Sequence, residues 1–221
     1  MLPVIFDLDG TLIDSLPDVT KAVNLLLADE GQPLLPQSVV NTFVGSGEKV
    51  LMQRLIAATA FEPDDAERLM PGFIAHYKTA ALDTKLFPGA REALDRLRAA
   101  GVPIGLCTNK PRAPLVPTLE AAGLADVFEV VVAGEDLALR KPDPAPVCHC
   151  FRALGAETGI YVGDSEVDAE TAKRAGVPFV IYAHGIRVNP VEDIPHDVVF
   201  DDFGALDGIL SALQARWQGG F

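Results

Sequence analysis

Pro3-Val4-Ile5-Phe6-Asp7-Leu8-Asp9-Gly10-Thr11 joins an apolar run to two carboxylates one residue apart, then a glycine and a hydroxyl. If the run is a strand, residues two apart point to the same side. Asp7 and Asp9 then stand together at the strand's carboxyl end, where open α/β sheets place their ligands. Two adjacent carboxylates repel each other unless a cation or a shared proton intervenes. The spacing therefore predicts a site for Mg²⁺ and a phosphoryl group.

Working outward, short apolar runs rich in Val and Ile recur at 103–108, 127–133, 159–162, 179–182 and 197–200. Such runs suit strands buried on both faces. Amphipathic stretches at 90–100, 145–154 and 169–175 lie between them. This β-α order predicts an α/β fold with a doubly wound, Rossmann-like parallel sheet. Residues 15–86 interrupt it. They offer no convincing strand, and 19–28, 49–58 and 66–82 carry apolar residues at helical spacing. The expected organisation is an α/β core of residues 1–14 and 87–221 with an all-helical cap domain, 15–86, inserted after the first strand. Hinges are expected near 14–17 and 83–87, where Phe87-Pro88-Gly89 supplies turn chemistry.

Composition narrows the partners. The 221 residues carry a net charge of −13, which repels a phosphate backbone and argues against nucleic acid. A local lysine cluster with a metal can still hold a small anion. No run approaches a membrane span, and no basic-then-apolar leader is evident. Three cysteines cannot form a fully paired framework. A cytoplasmic chain, monomer or homodimer, with reduced thiols is expected.

Four segments end or follow strand candidates: Asp7-x-Asp9-Gly10-Thr11, Leu106-Cys107-Thr108-Asn109-Lys110, Arg140-Lys141-Pro142-Asp143-Pro144 and Gly163-Asp164-Ser165-Glu166-Val167-Asp168. In order and character they resemble the motifs of the haloacid dehalogenase-like phosphohydrolase superfamily, and the likeness includes the helical insertion. The resemblance implies that Asp7 attacks phosphorus to form an aspartyl phosphate. It implies that Asp9 protonates the leaving alcohol and then activates water. Thr108, with Asn109 and nearby backbone N–H groups, would bind phosphoryl oxygens. Lys141 would offset charge around Asp7. Mg²⁺ would be held by Asp7, the backbone carbonyl of Asp9 and Asp164, with Asp168 orienting Lys141 or the metal's waters. Glu166 receives no role, and that of Lys110 stays open.

Asp14-Ser15-Leu16-Pro17-Asp18, the segment from Phe43 to Lys49, and Lys141-Pro142-Asp143-Pro144-Ala145-Pro146 further resemble bacterial phosphoglycolate phosphatases. That resemblance implies a small phosphorylated metabolite, 2-phosphoglycolate, as substrate. Gly45 and Gly47 open a predicted helix whose N-terminus could receive the substrate carboxylate, with Lys49 and Arg54 as nearby cations. Alternatives are a phosphatase of sugar phosphates or nucleoside monophosphates, a phosphomutase on the same core, and a non-catalytic binding protein. A true dehalogenase fits less well, because Asp9 retains the second acid. Cys148-His149-Cys150 lacks a second ligand cluster and is read as structural, and Cys107 as a core residue.

Overall fold

The computed structural model describes residues 2–218. Six short parallel strands, β1 (Val4–Phe6), β4 (Ile104–Cys107), β5 (Val130–Val132), β6 (Ile160–Gly163), β7 (Phe179–Tyr182) and β8 (Val198–Phe200), form one sheet in the order β5-β4-β1-β6-β7-β8. All six strand candidates are present; β7 keeps its expected bounds and the other five are trimmed or shifted at their ends. The pleat sorts their side chains between two cores. Val4 and Phe6 join Ile104, Leu106 and Val162 on one face; Ile5 joins Tyr161, Phe179 and Ile181 on the other. Helices α5 (Ala90–Ala99), α6 (Arg112–Ala121) and α9 (Leu206–Gln218) cover the first face. Helices α7 (Ala145–Ala153) and α8 (Glu166–Ala175) cover the second.

β1 is central. The chain leaves it for β4 and β5 on one side and for β6 to β8 on the other. The order reverses at β1, so a crevice opens beyond its carboxyl end between the loops after β4 and β6.

Between β1 and α5 run α1 (Leu16–Asp29), α2 (Gln37–Asn41), α3 (Glu48–Ala57) and α4 (Ala66–Ala80). Their apolar stripes close on one another in a separate core containing Val23, Leu27, Met52, Leu55 and Phe73. One expectation is corrected here. The stretch 15–86 is not free of strand: β3 (Lys85–Leu86) lies within it and pairs antiparallel with β2 (Ile13–Asp14) just before it, Ile13 with Leu86 and Asp14 with Lys85. Both passages between helices and sheet therefore run through one two-stranded ribbon. Beside it, the buried Asp18 carboxylate accepts a hydrogen bond from the Thr84 hydroxyl.

Candidate active site

β1 stops at Phe6. The Asp7 N–H donates to the Val162 carbonyl at 2.9 Å, which holds Asp7 at the end of the sheet. The chain then winds tightly. The Leu8 carbonyl accepts from the N–H groups of Thr11, Leu12 and Ile13 at 3.2, 2.9 and 3.1 Å. Gly10 has φ +84°, and a Cβ there would lie 2.4 Å from Asp164 Oδ2 and 2.8 Å from the Ile186 nitrogen. No other residue fits that turn. Asp7 and Asp9 line the same cavity, but the pleat is not the reason. Asp9 reaches it from the turn, since the strand has already ended.

Lys141 lies at the centre of a buried charge network. Its ammonium stands 2.9 Å from Asp7 Oδ1, donates to Asp168 Oδ1 at 2.8 Å and donates to the Tyr161 hydroxyl at 2.8 Å. Tyr161 in turn donates to the same Asp168 oxygen at 2.7 Å. The other Asp168 oxygen accepts from the Ser165 hydroxyl at 2.7 Å and from the N–H groups of Asp164 and Ser165 at 3.2 Å each. Burial pulls the Lys141 ammonium down, but the charges of Asp168 and Asp7 outweigh it and hold the group well above the usual lysine range. Burial also works against the Asp168 carboxylate, but Lys141 and its other donors keep that group below its ordinary range.

The two remaining acids behave differently. Burial pushes Asp7 up to about 7 against the pull of Lys141, with the charges of Asp168 and Asp9 adding to the rise. Asp164, 1% exposed, is pushed well up by burial and by Asp168 and Asp7. It accepts from the Thr11 hydroxyl at 2.8 Å and from the Ile186 N–H at 2.7 Å.

These residues fit a cation. Oxygens of Asp7, Asp164 and Asp168 lie within 4.8 Å of one another, and Lys141 pairs with Asp7 and Asp168 but not with Asp164. Asp7 Oδ1 is buried, and although Lys141 is close enough for an ion pair, the approach lacks hydrogen-bond alignment, so the oxygen keeps an unpartnered lone pair. Each Asp168 oxygen already accepts from two or more donors, whereas each Asp164 oxygen accepts from one and Asp7 Oδ1 from none, which leaves Asp7 and Asp164 as the better oxygen ligands. Hard divalent cations prefer such donors.

The loop after β4 carries Thr108, Asn109 and Lys110, all buried. Thr108 Oγ1 accepts from the Lys110 N–H at 3.1 Å, so its own proton is free to be donated. The Asn109 amide is engaged elsewhere. Its oxygen accepts from the Lys141 N–H at 3.1 Å, and its nitrogen donates to the Lys141 carbonyl at 3.0 Å and the Gly45 carbonyl at 3.4 Å. It lines the cavity while holding the Lys141 backbone. Gly134 is needed here, because a Cβ would sit 2.3 Å from the Asn109 carbonyl oxygen.

The helical layer closes the cavity from above. Gly45 and Gly47 both line it, at φ +103° and +87°. The α3 N-terminus is not vacant, however. Its first residue, Glu48, forms a two-pronged pair with Arg140 at 2.7 and 2.9 Å, and a Cβ on Gly47 would lie 2.9 Å from the Arg140 Nη1. Lys49 is exposed, and Arg54 donates to the Thr42 carbonyl at 2.9 Å; neither lines the cavity. Val19, Val44, Leu51 and Phe73 supply an apolar wall.

Sequence reasoning missed Tyr161, Tyr77 and Ser165. The first two lie inside apolar runs and carry no motif of their own. Ser165 could have been found, because Ser165-x-x-Asp168 is a capping-box spacing, and the structure has that box at the start of α8. Glu166 accepts from the Asn189 N–H, away from the acids. Cys150 is buried with its thiol directed at the Leu106 carbonyl, and His149 is exposed. Among the described residues the three aspartates form the one cluster able to hold a metal.

Known proteins resemble this chain in sequence and fold. Residues 4–182 match the model of the haloacid dehalogenase-like hydrolase family. A phosphoglycolate phosphatase of Cereibacter sphaeroides is 44% identical over 215 residues, spanning 96% of this chain and 99% of its own. A phosphoglycolate phosphatase of Rhodospirillum rubrum is 43% identical over 220 residues, 96% of this chain and 91% of its own. The crystal structure of a predicted phosphoglycolate phosphatase from Haemophilus somnus superposes with a TM-score of 0.89 at 31% identity, covering 95% of this chain and 97% of that one. CbbY from Rhodobacter sphaeroides, in complex with phosphate, shares the fold with a TM-score of 0.81 at 20% identity over 93% of this chain and 96% of its own. With the sheet, the acid cluster and near full-length relatives in agreement, the chain belongs to the haloacid dehalogenase-like hydrolases and is a phosphoric monoester hydrolase.

Proposed function

We propose that the chain hydrolyses 2-phosphoglycolate to glycolate and phosphate through an aspartyl phosphate on Asp7. The observation that carries this reading is Asp7 Oδ1, buried beside the Lys141 ammonium yet in no hydrogen bond, in a cavity that Asp9 also lines. Asp7 attacks phosphorus and the P–O bond to the alcohol breaks. Asp9 gives its proton to the departing oxygen, then takes one from the water that cleaves the acyl phosphate. Thr108 donates its free hydroxyl proton to a phosphoryl oxygen. Lys141, fixed by Asp168 and Tyr161, offsets the negative charge that gathers around Asp7. Asp7, the Asp9 carbonyl and Asp164 would hold Mg²⁺, which when bound neutralises the crowded acids and polarises the phosphoryl group.

The names of the relatives support this substrate. Residues 15–86 act in this reading as a cap that closes over the substrate on the ribbon of β2 and β3, and the enzyme works in the cytoplasm.

Phosphate release from a panel of small esters with and without Mg²⁺ tests the proposal. 2-Phosphoglycolate should give the highest kcat/KM, and Asp7→Asn should lower turnover of every ester by about 10⁴-fold or more. Preference for another ester by tenfold, about 1.4 kcal/mol of transition-state binding, refutes the substrate. Turnover that survives Asp7→Asn refutes the covalent step.

A further inference from the structure

Two cations line the cavity, Lys110 and Lys141. Lys141 is committed to the core through Asp7, Asp168 and Tyr161. Lys110 is placed at the seam between sheet and helices. Its side chain is 1% exposed, and its backbone is tied on both sides, by Thr108 Oγ1 at 3.1 Å and by the Gly134 N–H at 3.0 Å. The ammonium donates to Asp9 Oδ1 at 2.9 Å and to the Tyr77 hydroxyl, and lies 4.1 Å from the Tyr77 ring centroid. An ammonium has three N–H donors. These two partners use two of them, and the residue lines the same space as Asp9.

The rest of the cap side cannot receive an anion as well. Its wall is apolar, and a carboxylate buried there without a cation is strongly disfavoured. The α3 N-terminus already carries Glu48, and Arg140 is engaged by both Glu48 oxygens. Arg140 itself does not line the cavity, whereas Lys110 does.

We infer that Lys110 is the residue that selects the substrate: it receives the carboxylate of the ester while the phosphoryl group lies against Asp7. Tyr77, reaching from α4, holds the ammonium in place from the opposite side. This inference rests on the phosphoglycolate reading and adds to it the group that recognises the carboxylate.

The test compares kcat/KM for 2-phosphoglycolate and for 2-hydroxyethyl phosphate, which replaces the carboxylate with a neutral hydroxymethyl group. Wild type, Lys110→Met and Lys110→Arg are measured. Wild type should prefer the carboxylate ester. Lys110→Met should shrink that preference by about 10- to 100-fold, chiefly through KM, and Lys110→Arg should restore much of it. A wild-type preference that Lys110→Met leaves within threefold overturns the inference while sparing the substrate assignment. A wild type with no preference overturns both. Co-crystals of the wild type with 3-phosphonopropionate, a non-hydrolysable analogue, provide a readout that needs no variant. Its carboxylate should lie within hydrogen-bond distance of Lys110 Nζ; a carboxylate seated on Arg140 or on the Gly45–Gly47 turn overturns the assignment.

Discussion

The floor and the roof of the cavity are built on opposite plans. The floor is a closed network: every oxygen of Asp168 has donors, Lys141 has three oxygen neighbours, and Asp164 is held from both sides by Thr11 and Ile186. The roof is mostly hydrocarbon, joined to the floor by a few long-range polar contacts: Lys110 with Tyr77, Arg140 with Glu48, and Asn109 with the Gly45 carbonyl. A low-dielectric interior makes each paired charge strong and each orphaned one costly. The floor can therefore fix reacting groups tightly, at the risk of losing much when one member goes. The roof tolerates change and suits the choice of substrate.

The largest effect expected from this contrast belongs to Lys141→Met. It leaves Asp168 and Asp7 buried without their ammonium. Stability should fall by about 3–5 kcal/mol in urea melts, and turnover of 2-phosphoglycolate by about 10³-fold. A loss of stability under 1 kcal/mol would show that the floor is no network at all.

Gly47→Val comes next. A side chain at φ +87° is strained, and its Cβ would press on Arg140 at 2.9 Å. KM for 2-phosphoglycolate should rise about tenfold, while turnover of p-nitrophenyl phosphate continues. If both activities fall in parallel, the turn serves the chemistry and the contrast between floor and roof blurs. The smallest effect is expected from the pair that ties roof to floor. Glu48 and Arg140 are 11% and 24% exposed, so water screens part of their attraction. A double-mutant cycle with Glu48→Ala and Arg140→Ala should give a coupling of about 1 kcal/mol in unfolding free energy. A coupling several times larger would make this pair part of the rigid site.

The same contrast explains what was legible in the chain. Asp7 and Asp164 follow β1 and β6 directly, so strand position brings them to one edge of the sheet, and Lys141 joins them from the loop between β5 and α7. Several elements had no such signal. The prolines of α6, Pro114 and Pro117, break the helical pattern, and burial of Leu115 and Leu119 against the sheet holds that helix together. The strands β2 and β3 are two residues each, too short for any periodicity. Asp9 was placed beside Asp7 for the wrong reason, since a turn and not a pleat delivers it.

By itself the sequence determined the parallel α/β sheet, the helical insertion and the residues that collect beyond β1. Alternation of apolar runs and the order of motifs are local properties, and a parallel sheet leaves few ways to assemble them. Only the tertiary structure decided which cation faces the helices and what occupies the start of α3. Lys110 meets Tyr77 across 33 residues and Arg140 meets Glu48 across 92. Contacts that far apart are set by how two separate cores settle against each other, and no local pattern encodes that.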